Sequence, residues 1–144
     1  MKISTKGRYG LRLMVDLTSY HGKGLVPLKD IAARQDISNK YLEQIIMQLN
    51  RAGLVKSVRG SQGGYALSRP PEKITVGDVL RAVEGSLAPV DCLENGGFCE
   101  RQAHCPTLTI WRRIQKAVES VVDQTTLRDM MEDAQTHGCD FSTL

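Results

Sequence analysis

Long apolar runs are missing from this chain of 144 residues. Its hydrophobic stretches are a few residues each, whereas a membrane-spanning helix needs roughly 20. Met1 to Lys6 carry no apolar segment of signal-peptide length. Both absences point to a cytoplasmic protein with no membrane partner. No two cysteines form a C-x2-C pair. That argues against the commonest structural zinc motifs and against a thioredoxin-type redox centre. No glycine-rich stretch closes in Gly-Lys-Ser or Gly-Lys-Thr, so a phosphate-binding P-loop is excluded. Internal repeats and low-complexity segments are also missing. No residue set reads as catalytic, and the chain is not expected to be an enzyme.

What is present is ordinary in amount but unevenly placed. Hydrophobic residues make up 41% of the chain and charged residues 24%, as in a globular protein with a real core. The net charge of +3 conceals a division. Residues 1–73 hold 13 Lys/Arg against 5 Asp/Glu, and residues 74–144 hold 6 against 11. The first part is drawn to phosphate and the second is repelled by it. This suggests a nucleic-acid-binding lobe at 1–73 and a second lobe, 74–144, with another task. Pro70-Pro71 marks the boundary.

The basic half has the pattern of a winged helix-turn-helix. Leu11, Met14, Val15 and Leu17 form a helical stripe, capped by Ser4 or Thr5 and ended by Gly22 and Gly24. A short helix follows Pro27, from Leu28 to Arg34, and Gln35-Asp36-Ile37-Ser38 is a turn ending in an N-cap. Leu42, Ile45, Ile46 and Leu49 then repeat at i, i+3, i+4 and i+7, and Gly53 stops the helix. Its other face presents Lys40, Tyr41, Glu43, Gln44 and Gln48. A helix-turn-helix places this end in the major groove, where such side chains reach base edges. Leu54–Val58 and Tyr65–Leu67 read as strands joined by the glycine-rich turn Arg59–Gly64. Arg59 at the tip suits a narrow minor groove. The candidate DNA contacts are therefore Ser38, Lys40, Tyr41, Glu43, Gln44, Arg59 and Gly60, with Lys6 and Lys56 on phosphates.

In the acidic half, Thr75 caps a short helix, with Asp78 at the capping-box position and Val76, Val79, Leu80 and Val83 as its buried face. Three of the four cysteines follow as Cys92-x6-Cys99-x5-Cys105, in a loop bounded by Pro89 and Pro106. A reducing cytoplasm disfavours structural disulfides, which leaves metal binding or redox chemistry. Three widely spaced thiolates suit an iron–sulfur cluster, which also needs a further ligand. That ligand comes from a non-cysteine residue, Cys139, another subunit or a small molecule. His104 is nearest, but its adjacency to Cys105 makes joint ligation awkward. A long helix starts near Thr107, with Trp111, Ile114, Val118 and Val121 as a narrow seam that suits pairing with a second copy. Thr126–Met131 reads as a short final helix, and the last dozen residues as a tail.

The chain resembles the Rrf2 family of bacterial winged-helix regulators. The resemblance rests on Met1–Gly10, Tyr41-Leu42-Glu43-Gln44, Gly53–Gly60, Gly63-Gly64-Tyr65 and the Ile74–Gly85 helix. It covers nearly all of residues 1–130 and implies a homodimer on a palindromic operator. The N-terminal half and Thr125-Thr126-Leu127 look closest to a branch that represses cysteine metabolism, which lacks the three-cysteine loop. The loop and the Trp111 helix look like the cluster-bearing branch, whose members hold [2Fe–2S] or, in some nitric-oxide sensors, [4Fe–4S]. Two positions depart from that branch. Leu108 stands where a fourth-ligand histidine occurs in iron–sulfur regulators, and Arg8 where some sensors have an acidic ligand. The first cysteine gap is also one residue longer than usual.

The expected molecule is mostly α with a small β-wing: a winged helix-turn-helix domain plus a long dimerisation helix. It is expected to be a DNA-binding repressor and homodimer on a double-stranded operator. Cys92, Cys99 and Cys105 hold an iron–sulfur cluster, [2Fe–2S] favoured over [4Fe–4S], that senses iron, redox or nitric-oxide state. The rival expectation is a cluster-free repressor of cysteine and sulfur metabolism controlled by a partner enzyme of cysteine metabolism.

Overall fold

A computed structural model describes residues 1–138. Six helices and one hairpin follow in order: α1 (Thr5–Ser19), α2 (Leu28–Gln35), α3 (Asn39–Arg51), β1 (Val55–Val58), β2 (Gly64–Leu67), α4 (Val76–Glu84), α5 (Leu108–Gln124) and α6 (Leu127–Thr136). The architecture is mostly α with a two-stranded antiparallel wing.

Local chemistry sets most element ends. Ser4 caps α1 by accepting from Gly7 N–H, and Ser38 caps α3 by accepting from Tyr41 N–H. Asp36 closes α2 in a left-handed conformation, φ 52°. It turns the chain between α2 and α3 as a helix-turn-helix requires. Thr75 and Asp78 form the expected reciprocal capping box on α4. A second capping box, Thr126 with Asp129, starts α6.

Leu13, Met14 and Leu17 of α1 pack with Ile31 of α2 and with Leu42, Ile45 and Leu49 of α3. Leu54, Val55 and Leu67 close this core from the hairpin side. Each fully buried aliphatic side chain contributes about 2 kcal/mol. Ile74, Val79, Val83 and Leu127 belong to the same core, so packing continues across residue 73 while charge does not. Within 74–138, two backbone bonds tie the start of α4 to the start of α6: Val76 N–H to Thr125 O at 2.8 Å and Leu127 N–H to Ile74 O at 3.0 Å.

Three expectations are corrected. Gln35 is not a turn residue: it ends α2 and is buried, because its amide meets Asp16. The final helix runs to Thr136, and its Leu127 and Ala134 are buried. The expected tail therefore begins later than supposed, since the capping box and an apolar face prolong the helix. The third concerns α5. Val118 packs beside Val76, Leu80 and Val122, so it faces the molecule's own α4. Ile110 and Val121 are the large exposed apolar residues of α5, while Trp111 and Ile114 of the expected seam are half-buried.

Candidate functional site

The wing stands beside α3. Its register pairs Val55 with Leu67, Lys56 with Ala66, Ser57 with Tyr65 and Val58 with Gly64. Val26 and Tyr65 exchange two backbone bonds of 2.8 Å, which ties the wing to the segment before α2. Gly64 makes this approach feasible, because a Cβ there would strike the Val26 carbonyl. A groove of about 530 Å³ runs between α3 and the hairpin.

The sequence-predicted residues lie around this groove with unequal freedom. Ser38, Lys40, Glu43 and Gln44 are exposed on α3, and Lys56, Arg59 and Gly60 are exposed on the wing. Glu43 and Arg59 line the groove together from opposite sides, and Gly60 joins them. Glu43 accepts a 3.2 Å bond from Asn39 Nδ2. Tyr41 is half-buried, edge-on to Tyr9 with ring centroids 5.7 Å apart, so part of its surface is spent in packing. Gln48 turns inward instead of facing solvent, leaving its Oε1 buried without a hydrogen-bond partner. Lys6 lies away from this groove, half-buried in the first turn of α1.

Three groove residues escaped the sequence reading. Met47 and Val58 are exposed, and Asn50 lines the groove with them. The available signal was that Met47 falls off the Leu42–Leu49 stripe, and that Val58 is apolar on the solvent side of a strand.

The cysteine loop leaves α4 at Gly85, φ 84°, and enters α5 at Leu108. Cys92 lies in a short 3₁₀ turn, Asp91–Leu93, and Cys105 follows another, Gln102–His104. Gly97 lets the intervening chain fold tightly: its N–H bonds Glu94 O at 2.8 Å, and a Cβ would collide with the Asp91 carbonyl. Cys92, Cys99 and Cys105 are free and half-buried. The Cys105 sulfur lies 3.4 Å from the Thr107 hydroxyl, whose oxygen accepts from Trp111 Nε1 at 3.2 Å. That hydroxyl, with backbone N–H groups behind it, lowers the Cys105 thiol below its ordinary value.

Three free thiols on one loop have the donor chemistry of an iron–sulfur site. Their positions are not yet convergent. Among the described residues no group of three or more His, Cys, Asp and Glu is arranged to hold a metal ion. The three thiols fit the expected cluster in ligand type. Leu108, at the departed histidine position, is buried, and Arg8 is exposed and bonds Thr5. Cys139 lies outside the described residues. No described helix is long and apolar enough to cross a membrane.

Comparison with known proteins gives concordant matches. The model of the Rrf2 family, described as an iron-dependent transcriptional regulator, matches residues 3–133. The HTH-type transcriptional regulator CymR of Bacillus subtilis is 48% identical over 130 residues, 90% of this chain and 89% of that protein. The structure of CymR, the global cysteine regulator of B. subtilis, superposes with a TM-score of 0.76 at 46% identity, covering 92% of this chain and 97% of the other. The structure of T. potens IscR gives 0.74, also at 46% identity, over 93% and 88%.

Proposed function

This chain belongs to the Rrf2 family of transcriptional regulators, and on that premise we propose that it is a homodimeric operator-binding repressor switched through its three-cysteine loop. Residues 1–73 read DNA, and residues 74–144 sense and dimerise. Gln44 and Lys40 on α3 take base edges in the major groove, with Ser38, Tyr41 and Glu43 at its rim. Arg59 and Gly60 follow the minor groove, and Lys6 and Lys56 meet phosphates. Met47 and Val58 add apolar contact surface, of the kind that thymine methyl groups fill.

The sensing group is an iron–sulfur cluster, [2Fe–2S] in preference to [4Fe–4S], held by Cys92, Cys99 and Cys105. Such a group supplies sensitivity to iron supply, oxidation or nitric oxide. The observation that carries this reading is the set of three free thiols on one loop between α4 and α5. Thr107 directs its hydroxyl toward the Cys105 sulfur, and Trp111 holds Thr107. Because α4 packs on α1 and α5, a loop that rearranges shifts the α4–α5 junction and with it the spacing of two paired α3 helices. A preference of a few kcal/mol between two arrangements suffices for such coupling.

The test is anaerobic purification from iron-replete cells, followed by visible absorption and iron and sulfide analysis. The wild type is expected to be coloured, and Cys92→Ala, Cys99→Ala and Cys105→Ala each colourless. A colourless wild type overturns the cluster.

A second reading is favoured by the 48% identity to CymR. It is a cluster-free repressor of cysteine-metabolism genes, controlled by a partner enzyme that binds the C-terminal lobe. It requires a wild-type protein that binds its operator without iron.

A further inference from the structure

The first turn of α1 is held by a residue 80 positions away. Ser4 N–H donates to Glu84 Oε1 at 2.9 Å, and Ser4 Oγ donates to the same oxygen at 2.6 Å. The Ser4 hydroxyl also accepts from Gly7 N–H. One carboxylate oxygen thus fixes the residue that caps the helix. The approach is close enough that a Cβ on Gly7 would collide with Glu84.

Both ends of this contact lie next to regions with assigned tasks. On one side is a basic arm: Lys2 is exposed, Lys6 is in the first turn of α1, and Lys2, Ile3, Ser4, Thr5 and Arg8 line a shallow surface groove. On the other side, Glu84 is the last residue of α4, and Gly85 begins the cysteine loop. A helix N-terminus welcomes a carboxylate by its dipole, but capping alone does not require a residue from another element. Ser4 by itself already satisfies Gly7. Glu84 adds a tether between the arm and the base of the loop.

We propose that Glu84 is a positioning residue for DNA binding, which holds the Lys2–Lys6 arm against the phosphate backbone and ties it to the base of the cysteine loop. The inference rests on the operator-binding reading above. It has an opposite sign from simple electrostatics. A carboxylate near phosphate repels it, so removing Glu84 as a mere charge strengthens binding. Removing it as a tether weakens binding, because the arm must then be ordered on the DNA.

The experiment uses the full chain and a duplex enriched from a random-sequence library by the wild-type protein. Affinity is measured between about 50 and 200 mM salt, beside amide exchange of Gly7 and Arg8. Glu84→Ala is expected to weaken binding roughly three- to tenfold and to reduce the salt slope by about 1, as for one lost phosphate contact. Exchange at Gly7 should accelerate. Glu84→Gln keeps an oxygen acceptor, so it should restore the slope and bind at least as tightly as wild type. Should Glu84→Ala fail to fold, Ser4→Ala removes the hydroxyl bond to Glu84 together with the cap on Gly7 N–H and leaves the Ser4 N–H bond; it should show a reduced slope as well. A folded Glu84→Ala, or Ser4→Ala in its place, that binds as tightly as wild type at unchanged slope overturns the proposal. A wild type that enriches no duplex instead refutes the operator reading, and the positioning role falls with it.

Discussion

Asp16 and Arg34 form a two-pronged ion pair across the α1–α2 junction, Oδ1 to Nη2 at 2.7 Å and Oδ2 to Nε at 3.1 Å. Asp16 is 1% exposed, and Gln35 Nε2 donates to its Oδ2 as well. Arg12 holds Gln35 in turn through its side-chain and backbone oxygens. Arg34 stacks on Tyr20 at 4.7 Å, and Arg12 on Tyr9 at 5.4 Å. Because Tyr9 meets Tyr41, this polar network fixes α2 on α1 and reaches the first turn of α3.

Removing the buried Asp16 leaves Gln35 and Arg34, whose side chain is 19% exposed, without their acceptor, at a cost of about 1–3 kcal/mol. Asp16→Ala should therefore lower the urea midpoint by that equivalent. A midpoint unchanged from wild type would show that the network contributes nothing to stability.

On the DNA side, Gln44→Ala and Arg59→Ala should each weaken operator binding by about 1–3 kcal/mol and relax preference at one base position. Lys56→Ala should instead reduce the salt slope by about 1, evenly across sequences. Titration of enriched and scrambled duplexes separates the two patterns. Equal losses on both duplexes for Gln44→Ala contradict base reading.

The two faces of α5 predict different failures. Ile110→Glu with Val121→Glu alters the exposed apolar positions, and should yield a folded monomer in sedimentation that binds the operator poorly. Val118→Glu places a charge beside Val76, Leu80 and Val122, and should destabilise the fold itself. Wild type sedimenting as a monomer at micromolar concentration would refute the pairing face.

Arg81 and Asp123 join α4 to α5 through contacts of 2.6 and 3.0 Å. The hydrogen bonds from Arg81 hold the Asp123 carboxyl below its usual range. A carboxyl lowered in the folded state stabilises above its unfolded value, and this contribution disappears as pH falls through the folded value. Both side chains are about two-fifths exposed, so solvent screening limits the gain to about 0.5–1 kcal/mol. Arg81→Met should lose that much at neutral pH and progressively less as pH falls through the lowered Asp123 value, below which the carboxyl is protonated in both proteins. A gap between the urea midpoints that persists at low pH would assign the effect to packing.

Much of the fold was legible because its signals are local. A capping residue, a stripe at 3.6-residue period or a glycine turn involves neighbours along the chain, and these located α1 to α4 and the wing. The exposure of Lys40, Gln44, Lys56 and Arg59 was legible for the same reason, as polar positions outside the buried stripes. Gln48 misled, because a long polar residue beside such a stripe can turn either way and only packing decides.

By itself the sequence determined the winged helix-turn-helix pattern, the charge division and the presence of three thiols on one loop, since each depends on residue type and spacing. Tertiary structure alone decided which face of α5 is outward, that Gln35 serves a buried carboxylate, and that Glu84 reaches Ser4. It also decided that α6 belongs to the core shared with α1. These are contacts between residues distant in the chain, as Ser4 and Glu84 are. They are set by how helices cross, and spacing along the sequence does not encode that geometry.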